Sequence, residues 1–178
     1  MIKIKPHKIS DTPYRVIWLN NPNVSKFIGD NSDKTTTLKK EKLWFNKYSK
    51  DKNKKFFTIY DNKIPIGFLG LSHIDKTNRN ADAFIAIGDD KYRGKGFGKI
   101  AMKYLIDYGF IKLGLHKINL KVFEKNIPAV NLYKKLGFVV EGIMKDEAFF
   151  SGEYQNLISM AIFNKNEASK TQTTSLFM

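Results

Sequence analysis

The stretch Ile85-Ala86-Ile87-Gly88-Asp89-Asp90-Lys91-Tyr92-Arg93-Gly94-Lys95-Gly96-Phe97-Gly98 decides how this chain is read. An apolar run ends at Gly88, a short polar connection follows, and three alternate glycines lead into a helix. In that helix Phe97, Ala101, Leu105, Tyr108 and Ile111 recur at helical spacing, and Gly114 is a natural stop. Glycine tolerates positive φ, so successive backbone N–H groups can point into one concavity, to which the helix adds the positive end of its dipole. A strand, a glycine turn and a helix in this order make an anion site. Arg93, Lys95 and Lys99 add charge, and the chemistry suits a diphosphate. Two other phosphate turns do not fit. A dinucleotide turn has the spacing G-x-G-x-x-G and an acid about 20 residues on, whereas here the spacing differs and the helix runs to Lys112 and His116 without one. A P-loop needs Gly-Lys-Ser/Thr after its first glycine, and none follows.

Upstream, residues 2–5 alternate like an edge strand. Pro13 to Ile28 reads as one or two short helices broken near Asn20-Asn21-Pro22, and Asp33 to Ser49 as an amphipathic helix with Leu38, Leu43, Trp44 and Tyr48 on one side. Lys55 to Tyr60 and Ile64 to Ile74 flank Asp61-Asn62-Lys63 as a hairpin, and Ala81 to Gly88 is a third strand. Downstream, Lys117 to Phe123 alternates as a strand. Ala129, Leu132, Tyr133 and Leu136 mark a helix ended by Gly137, and strands follow at Phe138–Ile143 and Leu157–Phe163. This order predicts an α/β (α+β) single domain over residues 1–163, with helices on both faces of one sheet, and a polar, flexible tail over 164–178.

A hydrophobic content of 42% supports a core. There are no cysteines, which removes disulfides, thiolate metal sites and a Cys nucleophile, and no metal is expected. No apolar run reaches the roughly 18–20 residues of a membrane span, and the N-terminus lacks the apolar block of a signal peptide, so a cytoplasmic location is expected. The formal net charge of +14 has two readings: attraction to anions, or a lysine-rich composition spread over the surface. Lysines are scattered rather than packed in a basic block, and nucleic acid is not expected as a partner.

One strand beyond the glycine turn comes a second constellation, Asn126-x-x-Ala129-x-x-Leu132-Tyr133-x-x-Leu136-Gly137-Phe138. Arg93-x-x-Gly96-x-Gly98 followed at this distance by Asn126, Tyr133 and Leu136-Gly137-Phe138 resembles the GNAT acetyltransferase superfamily over residues 2–163. Tyr108-Gly109-Phe110, Lys134 to Gly142 and Phe149 to Asn156 resemble bacterial spermidine and ribosomal-protein N-terminal acetyltransferases. Trp18-Leu19-Asn20-Asn21-Pro22 also resembles amino-sugar acetyltransferases.

The resemblance implies a mixed, mostly antiparallel sheet of about seven strands and acetyl-CoA as co-substrate. It implies that Arg93, Gly94, Lys95, Gly96, Phe97, Gly98 and Lys99 hold the pyrophosphate. Phe84, Ile85, Ala86 and Ile87 would pair with the amides of the pantetheine arm, Asn126 would hydrogen-bond the arm or help orient Tyr133, and Ala129 would join the cofactor site. Tyr133 would protonate the leaving thiolate; its plain alternative is a core aromatic on an amphipathic helix. A primary amine of pKa ~10.4 must lose a proton before attack. His73 and Asp82, on two central strands, are the candidates to take it, with a relay through water as the alternative. Spermidine enzymes show carboxylates about where Gly70 and His73 fall here, while Glu41, Asp30 and Asp33 are available to line an acidic pocket.

The expected activity is direct transfer of acetyl to a primary amine of a small molecule, an amino-sugar nucleotide or a polyamine. The alternatives are acetylation of a protein N-terminus and a non-enzymatic acyl-CoA or RNA binding module. A homodimer through the C-terminal strands is a further expectation.

Overall fold

Along the chain run β1 (Ile2–Pro6), α1 (Thr12–Leu19), α2 (Pro22–Ser25), α3 (Leu38–Tyr48), β2 (Lys55–Asp61), β3 (Ile64–Asp75) and β4 (Asn80–Ile87). They are followed by α4 (Phe97–Asp107), β5 (Lys117–Phe123), α5 (Ile127–Lys135), β6 (Val139–Phe150) and β7 (Glu153–Phe163). The computed structural model describes residues 1–28, 35–150 and 152–165. One sheet takes the order β1-β2-β3-β4-β5-β7-β6. Every neighbouring pair is antiparallel except β4 and β5, which run parallel.

Helices cover both faces, and the sequence shows why. In β2 the adjacent Phe56 and Phe57 are both buried, because successive side chains leave a strand on opposite sides. Phe57, Ile59, Leu69, Leu71 and Ala83 join Ala101, Met102 and Leu105 of α4 and Val130 and Tyr133 of α5 in the larger core. Phe56 and Phe68 pack on the other face with Trp18 of α1, Trp44 and Tyr48 of α3, and Phe84. Each such side chain contributes roughly 1.5–3 kcal/mol of burial. α1 approaches the end of β4 closely enough that a Cβ on Gly88 would lie 2.1 Å from the Trp18 indole.

A buried polar cluster ties the start of the chain to β2. The Thr58 hydroxyl donates to Asp11 Oδ2 at 2.8 Å and has no second proton. His7 Nδ1, 2.7 Å from Thr58 Oγ1, is therefore the donor in that contact. Tyr60 donates to Asp11 Oδ1 at 2.7 Å. Burial pushes the His7 pKa down to about 4, with Arg15 adding to the effect and Asp11 opposing it. Burial, with the Asp11 carboxylate beside it, also raises Tyr60 well above the usual phenol range.

The glycine turn, β5 and both helix stops lie where the periodicity puts them. Gly114 and Gly137 take φ of 65° and 95°. The last two strands are longer than their sequence pattern. β6 reaches Phe150 and β7 begins at Glu153, because irregularities at Val140/Gly142 and Met144/Ala148 break the alternation that marks a strand. At the C-terminus, Asn164 is tied down: its N–H donates to the His116 carbonyl at 2.9 Å and its Nδ2 to the Leu115 carbonyl at 3.3 Å. The rest of the expected tail, residues 166–178, lies outside the described residues.

Candidate active site

β4 and β5 pair over three positions only, Asn80 with Lys117, Ala81 with Ile118 and Asp82 with Asn119. Beyond Asp82, β4 keeps its ladder to β3 while β5 keeps its own to β7. The β5-facing edge of residues 83–87 is left without a strand partner. The gap between the two strands opens into a cavity of about 1030 Å³. Ala83 to Ile87 form one wall, the start of α4 and the face of α5 another, and α1 and α3 close the far end.

The glycine turn stands at one mouth. Gly94 and Gly96 have φ of 71° and 82°, and a Cβ on either would meet nothing within 4 Å. Their concavity is open space. The N–H groups of Gly94, Lys95 and Gly96 make no backbone bond among the described residues, so they remain free to donate. Gly96 is the N-cap of the eleven-residue α4, which adds its dipole. Gly98 lets α4 lie against α5, its Cβ position 3.4 Å from Leu132 Cδ2. The Arg93 side chain faces the protein. Its Nε donates to the Ile87 carbonyl at 3.2 Å, its Nη1 to the Asn23 carbonyl at 3.0 Å, and its Nη2 lies 2.9 Å from Asp90 Oδ1. The amides of Asn23 and Asn21 hold the Asp90 carboxyl below its usual range. Arg93 thus brackets the turn to α2, leaving the backbone to meet an anion.

In the middle of the cavity lies Tyr133, buried in the larger core yet lining the space. Its hydroxyl makes no hydrogen bond to the described residues, and burial pushes its pKa up to about 12. Asn126 caps α5 by accepting from the Ala129 N–H at 3.4 Å, which sets the helix that carries Tyr133 two turns on.

The far end was not legible in the sequence. Arg15 and Glu41, with side chains 11% and 7% exposed, form an ion pair through Nη1 and Oε2. The Arg15 guanidinium lies 3.8 Å from the centre of the Trp44 ring, 5.4 Å from that of Phe56 and 5.3 Å from that of Phe68. Phe84 completes the wall, its ring centre 4.5 Å from that of Phe56. Gly70 permits this, since a Cβ there would meet Phe84 Cζ at 2.4 Å. The one available hint was Glu41 and Trp44 three residues apart on a predicted helix.

Of the expected binding residues, Phe84, Ile85, Ala86, Ile87, Arg93, Gly94, Gly96, Phe97, Gly98, Lys99, Asn126 and Ala129 line the cavity, and Lys95 stands on the exposed side of the turn. His73 and Asp82 are not among the residues that line it. β3 is irregular between Ser72 and Asp75, and His73 takes a φ of 50°, so alternation no longer tells which way its ring points. His73 Nδ1 and Asp82 Oδ2 pair with each other at 3.0 Å, with side chains 78% and 53% exposed. Glu41 does line the cavity, whereas Asp30 and Asp33 lie outside the described residues.

Comparison with known proteins agrees with this fold. The sequence profile of the Acetyltransferase (GNAT) family matches residues 17–138. The chain belongs to the GNAT acetyltransferase family. The spermidine N(1)-acetyltransferase of Escherichia coli (strain K12) is 35% identical over 129 residues, 72% of this chain and 69% of that one. The corresponding Vibrio cholerae protein is 35% identical over 129 residues, 72% and 74% of the two chains. A crystal structure of the Vibrio cholerae spermidine N-acetyltransferase in complex with CoA and spermine superposes with a TM-score of 0.85 at 29% identity, covering 91% of this chain and 95% of that one.

The acetyltransferase is an enzyme that uses acetyl-CoA, and its cavity fits that co-substrate. The open cradle at Gly94 and Gly96, with unspent N–H donors, is the shape a pyrophosphate needs. The unpaired edge of residues 83–87 is what an extended arm carrying amide groups would continue. No group of three or more metal-ligating side chains is present among the described residues.

Proposed function

We propose that this acetyltransferase moves an acetyl group to a primary amine of polyamine type, by direct attack within a ternary complex. One observation carries the reading. A single cavity joins the glycine turn, the Tyr133 hydroxyl and, at its far end, a buried carboxylate walled by aromatic rings. Aromatic faces and a carboxylate are groups that receive a cation, and here an acceptor ammonium would share them with the Arg15 guanidinium. The kinship with spermidine N(1)-acetyltransferases supports the same acceptor class.

When bound, acetyl-CoA supplies a thioester carbonyl for a neutral amine to attack. A C–N bond forms and the C–S bond breaks; the ammonium loses one proton to solvent before attack, and the attacking nitrogen loses a second that ends on the departing thiolate, giving amide and thiol. The free N–H groups of the turn hold the donor, and the unpaired edge of β4 aligns it. A phenol of pKa about 12 stays protonated throughout the neutral range. Full proton transfer from it to a thiolate of ordinary pKa ~8.5 runs uphill by about 5 kcal/mol. Tyr133 therefore acts by donating a hydrogen bond to sulfur as negative charge grows there. Glu41 is the one carboxylate among the described lining residues, and Arg15 holds it. Solvent in the open cavity accordingly accepts the amine's proton.

The test is an acceptor screen by thiol release with spermidine, spermine, amino-sugar nucleotides, aminoglycosides and peptides. Polyamines are expected to turn over fastest. Turnover of a sugar nucleotide or a peptide N-terminus with none of spermidine would overturn the acceptor, and no acetyl-CoA binding at micromolar levels would leave only a binding module.

The proposal includes a cytoplasmic enzyme, which cell fractionation tests. It also includes a homodimer through the edge strand β6, where Val139, Val140 and Ile143 are exposed. Light scattering at the 20.5 kDa monomer mass across micromolar concentrations would exclude that dimer.

A further inference from the structure

Resting on the polyamine reading of the acceptor, we infer that Arg15 is a specificity-determining residue: a tethered internal cation that occupies the ammonium-binding box at the far end of the cavity. The box is built from Glu41, Trp44, Phe56 and Phe68. Its shape suits a cation from the substrate, with one carboxylate on one side and ring faces on the others. The guanidinium already fills it. It bonds Glu41 Oε2 and stacks on Trp44 at 3.8 Å from the ring centre, both contacts being nearly shielded from solvent.

Two consequences follow for an acceptor. Glu41 is spent on an internal partner, so an amine that needs a second ammonium site must displace Arg15 or do without that site. The cavity also carries Lys99 and Lys121, the latter paired with Glu147 at 3.3 Å, and no lining carboxylate besides Glu41 among the described residues, so an extra ammonium finds no second anionic partner there. Among polyamines, Arg15 thereby sets the enzyme against the most highly charged and favours spermidine over spermine. Position 84 strengthens the same bias. Its ring fills the space above Gly70, where a carboxylate side chain would add a second anionic site.

The experiment compares wild type with Arg15→Met, Arg15→Lys, Glu41→Gln and the Arg15→Met/Glu41→Gln double variant. Spermine binding is measured by calorimetry without acetyl-CoA. Alongside it, kcat/KM is measured for a series from a monoamine to spermine, and the acetyl-CoA KM reports on the intact glycine-turn end. Arg15→Met is expected to bind spermine about tenfold more tightly and to raise the spermine-to-monoamine ratio by a similar factor, as an ammonium takes over a charge-assisted contact. Arg15→Lys keeps the internal cation and stays near wild type, and the double variant loses the gain. No tightening in Arg15→Met, or a gain that survives Glu41→Gln, overturns the assignment.

Should Arg15→Met not fold, Glu41→Gln decides. Neutralising Glu41 removes negative charge from beside Arg15 and the acceptor and weakens spermine binding about tenfold, whereas an unchanged affinity refutes the role. Calorimetry separates this inference from the wider reading. If no polyamine is ever acetylated, the proposed acceptor fails, while the ranking of spermine affinities still decides what Arg15 does.

Discussion

Tyr133 shows how burial decides a role. A phenol held at about 12 is a poor acid but a dependable donor. Tyr133→Phe is expected to lower kcat by about 10- to 100-fold with the acetyl-CoA KM nearly unchanged, measured at saturating acceptor. Full activity in that variant would remove the hydroxyl from the mechanism. Because the phenol does not titrate near neutrality, kcat/KM for the amine should rise about tenfold per pH unit well below the amine's own pKa of ~10.4, with no descending limb from Tyr133 below pH ~11. His7 makes a prediction about stability. Its pKa is about 4 in the fold against 6.5 in the unfolded chain, so between those values the unfolded state binds the extra proton. The stabilisation is whole above pH 6.5 and falls away as the pH drops toward 4, by about 3 kcal/mol in all. Thermal melts of His7→Leu should show a flatter slope than wild type across that window, and parallel slopes would disprove the assignment.

Among the elements, the turn before α4 and the strand β5 were legible because their signals are local: alternate glycines, then a strict helical or two-residue period. The ends of β6 and β7 were not, since irregular pairing mixes the two faces of a strand within a few residues. The direction of the His73 ring was not legible for the same reason, lost in the irregularity of β3. The Arg15–Glu41–Trp44 corner was invisible for a different one. Arg15 and Glu41 stand 26 residues apart, and only the packing of α1 against α3 brings them together. Gly70 and Phe84 likewise speak to each other only across the β3–β4 register. The turn itself yields a direct prediction. Gly96→Ala meets no steric obstacle, so its cost is the backbone strain of a positive φ, roughly 1–2 kcal/mol. Distortion of the donor cradle should raise the acetyl-CoA KM about tenfold while kcat at saturation changes little. An unchanged KM would place the pyrophosphate elsewhere.

For the molecule as a whole, the formal charge of +14 says little about fold, and the two buried clusters on either face of the sheet say most. The overall architecture was readable because element order and helix periodicity constrain it strongly. What the chain does at the far end of its cavity was not, because that end is assembled from two helices and three strands with no shared motif. The seam between β4 and β5 has one more meaning. Three residue pairs stitch the leaf made of β1 to β4 to the leaf made of β5, β7 and β6, like a book bound along only part of its spine. A ligand lying in the open part of that spine would supply the missing stitches from its own amides. Acetyl-CoA should therefore slow hydrogen exchange along residues 83–87 and in α4 and α5 on the flanks of the gap, leaving β1 and β6 at the outer margins unchanged. Exchange slowed evenly over both leaves, or not at all, would mean that the donor rests on the protein without becoming part of its binding.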